Sequence, residues 1–365
     1  MARILTYRTM LMSSSQTSLR RQAIRRGLEF IYRTACDPVH FAEYGSDLLS
    51  CFCWITLTSR DAGLRAMARK MGDERASQWR RDHQSVPPVA DADTISFLVY
   101  GSYAAHLLGF PDQALKKELQ RASGSYPAQD YLWFDPVVEP PPGDVPEQCK
   151  CGLWNKRGAK RCRRCRKRLT NMSRYKVWYY ALTTTFTGDR YGVKLGAHYR
   201  DVLKWLPAMR PYRGCEADCN PDFYDTVYAI THIIYTLNDY SAYQLSPDLL
   251  PQEFAFLKTN LKESIRQQDP ETVGEFLDAL RAFGLTSRHS LIRMGLDYLL
   301  AEQNSDGSWG AMKTDDIYAR YHPTWTAIDG LREYAWRGEG LSFPKLKPWL
   351  NRWAGMSARG RGDTP

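Results

Sequence analysis

No apolar stretch in this chain approaches the roughly 20 residues that a membrane-spanning helix needs, so an integral membrane protein is excluded at the outset. The N-terminal MARILTYRTMLMSSSQTSLRRQ is basic but has no unbroken apolar core, which argues against a cleaved secretory signal. Nine cysteines make an odd number without the spacing of a disulfide ladder, and a reducing cytoplasm is the compartment expected. Strand-like alternation is scarce. Also missing are a P-loop, a Rossmann GxGxxG, a GxSxG elbow and an HExxH helix, and no lone Ser or Cys has a paired His to make it a nucleophile. What is present is a soluble globular composition: 365 residues, 43% hydrophobic and 25% charged.

The net charge of +10 is local. Between Lys150 and Arg168 stand ten basic residues and no acidic one, so removing that 19-residue segment leaves the rest of the chain near neutrality. The same segment holds four cysteines, Cys149, Cys151, Cys162 and Cys165, in the pattern C-x-C-G-x2-N-x6-C-x2-C. Two short-spaced pairs about ten residues apart suit two knuckles that set four thiolates around one structural zinc. The pattern resembles the small zinc-ribbon family, which usually has C-x2-C at the first pair. A ribbon this short buries no core, so the metal largely folds it. A Pro-rich lead-in (Pro136, Pro140, Pro141, Pro142, Pro146) sets it apart as an inserted module. Its basic face admits an acidic protein partner or nucleic acid, although Trp154 is its only aromatic platform.

Elsewhere the chain has helical periodicity, and two elements recur. Residues Arg25 to Ile31 match Arg293 to Leu299, with a fainter copy at Lys194 to Tyr199. A second element opens at Asp93-Thr94, Asp225-Thr226, Glu271-Thr272 and His322-Pro323-Thr324, each a helix-start signal. The first type is expected to begin near 20, 61, 112, 194, 250 and 288, and the more apolar second type near 47, 93, 174, 223, 271 and 323. Six such helical hairpins closing on themselves give an all-α (α/α)6 toroid. The expected divisions are 1–135 and 171–345 for its two halves, 136–170 for the ribbon insertion and 346–365 for a C-terminal tail.

Gly295, Tyr298, Leu299, Gln303, Gly307 and Trp309 form a pattern that resembles the QW motif of the squalene- and terpene-cyclase family, whose relatives include the protein prenyltransferase β subunits. In such a motif the Gln caps a helix end and the Trp packs over the turn. The stretch from Asp316 to Thr324 resembles the one that supplies a zinc-binding His in prenyltransferases, here His322. The cyclase carboxylates are incomplete: Asp91 and Asp93 stand for a DxDD cluster, Asp315 and Asp316 for DDxxD, and Asn238, Asp239 and Ser241 for the magnesium triad. Fold likeness alone does not assign a reaction.

In a toroid the inner helices begin at one rim. There the resemblance implies a second metal, zinc or iron, held by Asp225 and His322, with Asp222, Cys215 and Cys219 nearby. His232 lies seven residues after Asp225, roughly 10 Å along the axis at 1.5 Å per residue, and aligns with Asp329 as a deeper acid/base pair. Tyr100, Trp178, Tyr228 and Trp325 are expected to line a central cavity. These features point to a metal-assisted biosynthetic enzyme acting on an apolar or aromatic small molecule, free or delivered by a carrier protein at the ribbon. Two alternatives stand beside it. One is a non-catalytic ribbon protein that binds nucleic acid or an acidic partner, with a toroid axis plugged by side chains. The other is an isoprenoid cyclase or prenyltransferase.

Overall fold

The computed structural model describes the backbone over residues 2–215 and 220–359 and the side chains over 17–215 and 220–355. Within those residues the protein is all-helical, and the few extended pairings are isolated bridges. In chain order the helices are α1 (Ala2–Cys36), α2 (Pro38–Thr58), α3 (Ala62–Asp82), α4 (Ala92–Leu107), α5 (Gln113–Ser123), α6 (Ala128–Leu132), α7 (Arg174–Tyr191) and α8 (Tyr199–Leu203). There follow α9 (Leu206–Met209), α10 (Phe223–Leu237), α11 (Pro251–Arg266), α12 (Pro270–Ala282), α13 (Ser290–Ala301), α14 (Tyr318–Leu331) and α15 (Lys347–Arg359). No helix among the described residues is long and apolar enough to cross a membrane.

Side-chain oxygens set many of the helix starts. Asp37, Asp61, Asp91, Asp112, Ser173 and Asp269 each accept from a free amide in the first turn of the helix that follows. Four expected starts shift: α1 begins at Ala2 and not near 20, and α14 at Tyr318 and not near 323, so that Pro323 lies inside its helix. The element expected near 47 begins at Pro38, because Asp37 caps it and Pro38 has no amide to lose. The outer helix expected near 194 shrinks to the five residues of α8, since Gly192 and Gly196 both adopt left-handed backbone and break the segment before it. In the segment expected as a tail, α15 buries Leu350 completely.

Six helices pack in sequence: α2 on α4, α4 on α7, α7 on α10, α10 on α12 and α12 on α14. Helix α14 then meets α2 through side chains, with the Tyr321 hydroxyl donating to Asp47 at 2.9 Å and the Arg332 guanidinium to Thr58 at 2.9 Å. Against these lie α1, α3, α5, α8, α11 and α13. Each of the six turns an aliphatic face outward. On α12, Val273, Phe276, Leu277 and Leu280 are fully buried, as are Val227, Ile230, Ile233 and Ile234 on α10.

The QW-like residues join the last pair of helices to the first. The Gln303 amide donates to the Ala23 carbonyl of α1 at 2.8 Å and to the Gly307 carbonyl at 2.9 Å. Trp309 is fully buried, and its indole N–H donates to the Leu299 carbonyl at 2.7 Å.

Candidate functional site

The inner faces of the six helices line one cavity of about 700 Å3. Its lining follows helical spacing: Tyr228, His232 and Tyr235 on α10; Glu271, Glu275 and Asp278 on α12; His322, Trp325 and Asp329 on α14. Ten tyrosines, four tryptophans and seven carboxylates contribute to the wall, with not one Leu, Ile, Val or Met among them. Such a surface suits a ligand with a flat ring and polar edges better than an aliphatic chain.

Burial divides the titratable groups of this wall. The Glu275 carboxyl accepts from the Thr231 hydroxyl, and desolvation pushes it up to about 8. Asp278 accepts from the Ser241 hydroxyl at 2.7 Å and is pushed up to about 7, first by burial and then by the charge of Asp329. Burial would lower His322, but the Glu271 carboxylate facing it outweighs that and holds it up at about 9. The His322 Nδ1 and the Glu271 Oε1 lie 3.0 Å apart, an ion-pair contact whose N–H does not point along the line between them. His232 goes the other way: desolvation, and then the charge of His322, lower it to about 4. Its Nδ1 sits 2.8 Å from the Tyr228 carbonyl, which assigns the ring proton to Nδ1 and leaves Nε2 as the acceptor. Near neutral pH the wall therefore holds a protonated carboxylic acid, an imidazolium and a neutral imidazole.

Among the residues expected from sequence, Tyr100, Tyr228 and Trp325 line this cavity, and so do His232, His322 and Asp329. Trp178 does not. It is fully buried on the outer face of α7, where its indole donates to the Val202 carbonyl at 3.1 Å; the adjacent Tyr179 and Tyr180 face inward instead. The expected His232–Asp329 pair is not formed, because Arg332 holds Asp329 at 2.6 Å and His232 engages the Tyr228 carbonyl. Asp225 lies beside Ser173 and Lys176 at the start of α7, while the carboxylate facing His322 is Glu271. Among the described residues neither Asp225 nor His322 belongs to a group of three or more metal-ligating side chains. Cys219 lies outside the described residues. The DxDD-like pair is split: Asp91 caps α4 through the Thr94 amide, and only Asp93 reaches the cavity.

Sequence reasoning assigned Glu271 to a helix start and passed over Glu275 and Asp278. The signal was their i, i+4, i+7 spacing within an otherwise apolar helix, which sets three carboxylates on one buried face.

The only group of three or more metal-ligating side chains among the described residues is Cys149, Cys151, Cys162 and Cys165, whose sulfurs lie within 4.8 Å of one another. Each cysteine pair closes a tight turn. The Gly152 amide donates to the Cys149 carbonyl at 2.7 Å and the Arg166 amide to the Cys162 carbonyl at 2.9 Å, with Gly152 and Arg166 both left-handed. The Cys149–Cys165 and Cys151–Cys162 sulfurs are 3.4 and 3.6 Å apart, close to the spacing of thiolates around a single tetrahedral ion. The four thiols are thus arranged to hold one metal ion.

This cysteine module touches the cavity. Trp154, between its two turns, lines the mouth, with its ring 5.8 Å from that of Trp133. Trp133 in turn meets Tyr180 of α7 at 5.5 Å. Arg157 pins the module to its lead-in, through Glu139 at 2.7 Å and Asp144 at 2.6 Å.

No protein-family model, no curated protein and no solved structure matches this chain.

Proposed function

We propose that this protein is an enzyme of proton transfer. A planar or cyclic polar group, free or carried by a larger molecule, binds in the central cavity, where Glu275 acts as general acid and His232 as general base. The observation that carries this reading is that Thr231 links the two. Its hydroxyl donates to the Glu275 carboxyl group and lies 3.3 Å from the His232 ring, so groups driven to opposite protonation states share one wall. His322 and Glu271 form a charged pair beside them that orients the substrate and stabilises developing negative charge. The aromatic walls stack the ring, and the remaining carboxylates accept from its polar edge. The rival binding-protein reading requires an axis filled by side chains, and a cavity of about 700 Å3 speaks against it.

The hairpins are read as an (α/α)6 toroid. The successive packing of the six inner helices and the return contacts from α14 to α2 support that arrangement. The cysteine module is read as a zinc ribbon that completes the cavity mouth. Cys149, Cys151, Cys162 and Cys165 would hold the zinc, and its role there is to fold the segment that presents Trp154.

The test is a mass-spectrometric comparison of small-molecule and nucleic-acid extracts incubated with the wild type, Glu275→Gln and His232→Asn. The expected result is at least one compound consumed by the wild type and left intact by both variants. An extract unchanged by the wild type, or depleted equally by all three proteins, overturns the proposal.

A further inference from the structure

All ten basic residues between Lys150 and Arg168 are exposed, and among the described residues only Arg157 has a carboxylate partner. Nine cations thus crowd a short module without a carboxylate partner, and four thiolates around one zinc would offset only about two of their charges. The module reaches, through Trp154, a cavity whose wall carries seven carboxylates. The module is folded so that its charge lies beside Trp154: the Asn155 side chain accepts from the Arg163 amide at 3.0 Å, and the Arg164 guanidinium donates to the Cys151 carbonyl at 3.2 Å.

We infer that the substrate is a nucleotide unit of a single-stranded polynucleotide, with its phosphates on the cysteine module and one base in the cavity. The inference rests on the reading of the cavity as the active site and adds the substrate class. Closely spaced guanidinium forks match phosphate oxygens in geometry, and a polynucleotide supplies one charge per unit at a spacing that nine cations can follow. A phosphate is repelled by the acidic cavity, whereas an uncharged base is not. The base finds rings to stack on, and carboxylates accept from exocyclic amino groups. Trp154, Trp133 and Tyr180 form a line of rings from the module into the cavity, as the stacking platforms of single-strand binders do. A base inside a duplex cannot reach such a cavity without leaving its stack, so single strands are preferred. An acidic protein would answer the charge of the module but has no planar head for the cavity.

The experiment is fluorescence anisotropy of end-labelled 12-nucleotide single-stranded RNA and DNA with the full-length, zinc-loaded protein. A polyglutamate peptide, a duplex and a mononucleotide serve as competitors. With about four phosphates neutralised, affinity is expected to fall about 50-fold between 50 and 200 mM salt. The triple variant Arg161→Glu/Arg163→Glu/Arg164→Glu should lose at least ten-fold, and Trp154→Ala about ten-fold. Zinc content of one per chain verifies folding of each variant, and Lys160→Glu/Lys167→Glu replaces the triple variant if that one loses metal. Competition by a mononucleotide as strong as by the 12-mer assigns the site to single nucleotides and overturns the polymer assignment. Absence of binding, binding unchanged in the charge-reversal variants, or polyglutamate competing as well as the single strands overturns the inference. Glu275→Gln separates the two readings: it should abolish turnover while leaving strand affinity within about two-fold, so a failed ribbon and a failed active site give different results.

Discussion

His322 on α14 and Glu271 on α12 meet at 3.0 Å across the seam between two helices, and the Tyr228 hydroxyl of α10 donates to the same carboxylate at 2.6 Å. Three helices are thereby tied at one point of the cavity wall, and the tie depends on one proton.

That proton gives the first prediction. His322 is held up at about 9 from an ordinary value of 6.5, so the folded chain keeps a proton that the unfolded chain has already released above 6.5. The stabilisation is complete below 6.5 and is lost as the pH climbs through 9. Urea unfolding near pH 6 and near pH 9.5 should show a wild-type loss greater by about 1–3 kcal/mol than the loss in Glu271→Gln. Equal pH dependence in the two proteins contradicts the pairing.

Glu275 works against the fold. Its carboxyl is pushed up from 4.5 to about 8, so above 4.5 the unfolded chain gains the freedom to ionise while the folded one is denied it. Stability therefore falls as the pH rises from 4.5 towards 8. Glu275→Gln removes this penalty, and its melting temperature should exceed that of the wild type at pH 8 but not near pH 4, by an increment worth about 1–3 kcal/mol. The same variant is expected to be inactive, an exchange of stability for function common at active sites.

Metal analysis by inductively coupled plasma mass spectrometry should find one zinc per chain, lost in Cys162→Ser/Cys165→Ser. Because the module itself contributes no helix, the far-ultraviolet helical signal should survive chelation. Tryptophan emission should shift, since Trp154 loses its place against Trp133. A second ion retained by the double variant would point to a further site in the helical body.

Trp309 is the packing counterpart of these electrostatic tests. It is fully buried, and a Cβ built on Gly27 would meet its ring at 2.9 Å. Trp309→Ala should cost about 3–5 kcal/mol by cavity creation and Gly27→Ala about 1–3 kcal/mol by overpacking, both read by thermal unfolding. A neutral Gly27→Ala would show that α1 and the Trp309 turn are free to separate.

The helical hairpins were legible because their signals are local. Asp or Ser before an apolar run fixes a helix start, and the starts expected near 93, 174, 223 and 271 agree with α4, α7, α10 and α12 to within one residue. The cysteine cluster was legible for the same reason, its ligands lying within seventeen residues of chain. The partners of His322 and His232 were not. Glu271 serves at once as a first-turn residue of α12 and as a cavity carboxylate, and only the packing of α12 on α14 decides which imidazole it faces. Trp178 was misassigned because α7 carries aromatics at three consecutive positions. A sequence shows that some of those rings face inward, and the outer contact with Val202 selects which one does not.

The side chains that join α14 to α2 bridge 274 residues, and the amide of Gln303 reaches back 280 residues to α1. The cavity wall is therefore finished only when α14 has followed the helices on which it closes. Until α14 arrives, the acid-bearing faces of α10 and α12 stand open to water, where Glu275 ionises as an ordinary carboxylate. At about 5–20 residues per second, His232 and Glu275 are made a few seconds before the helix that encloses them. The shifted acidities of this wall are acquired in one late step, with the arrival of α14, and not by the gradual addition of residues.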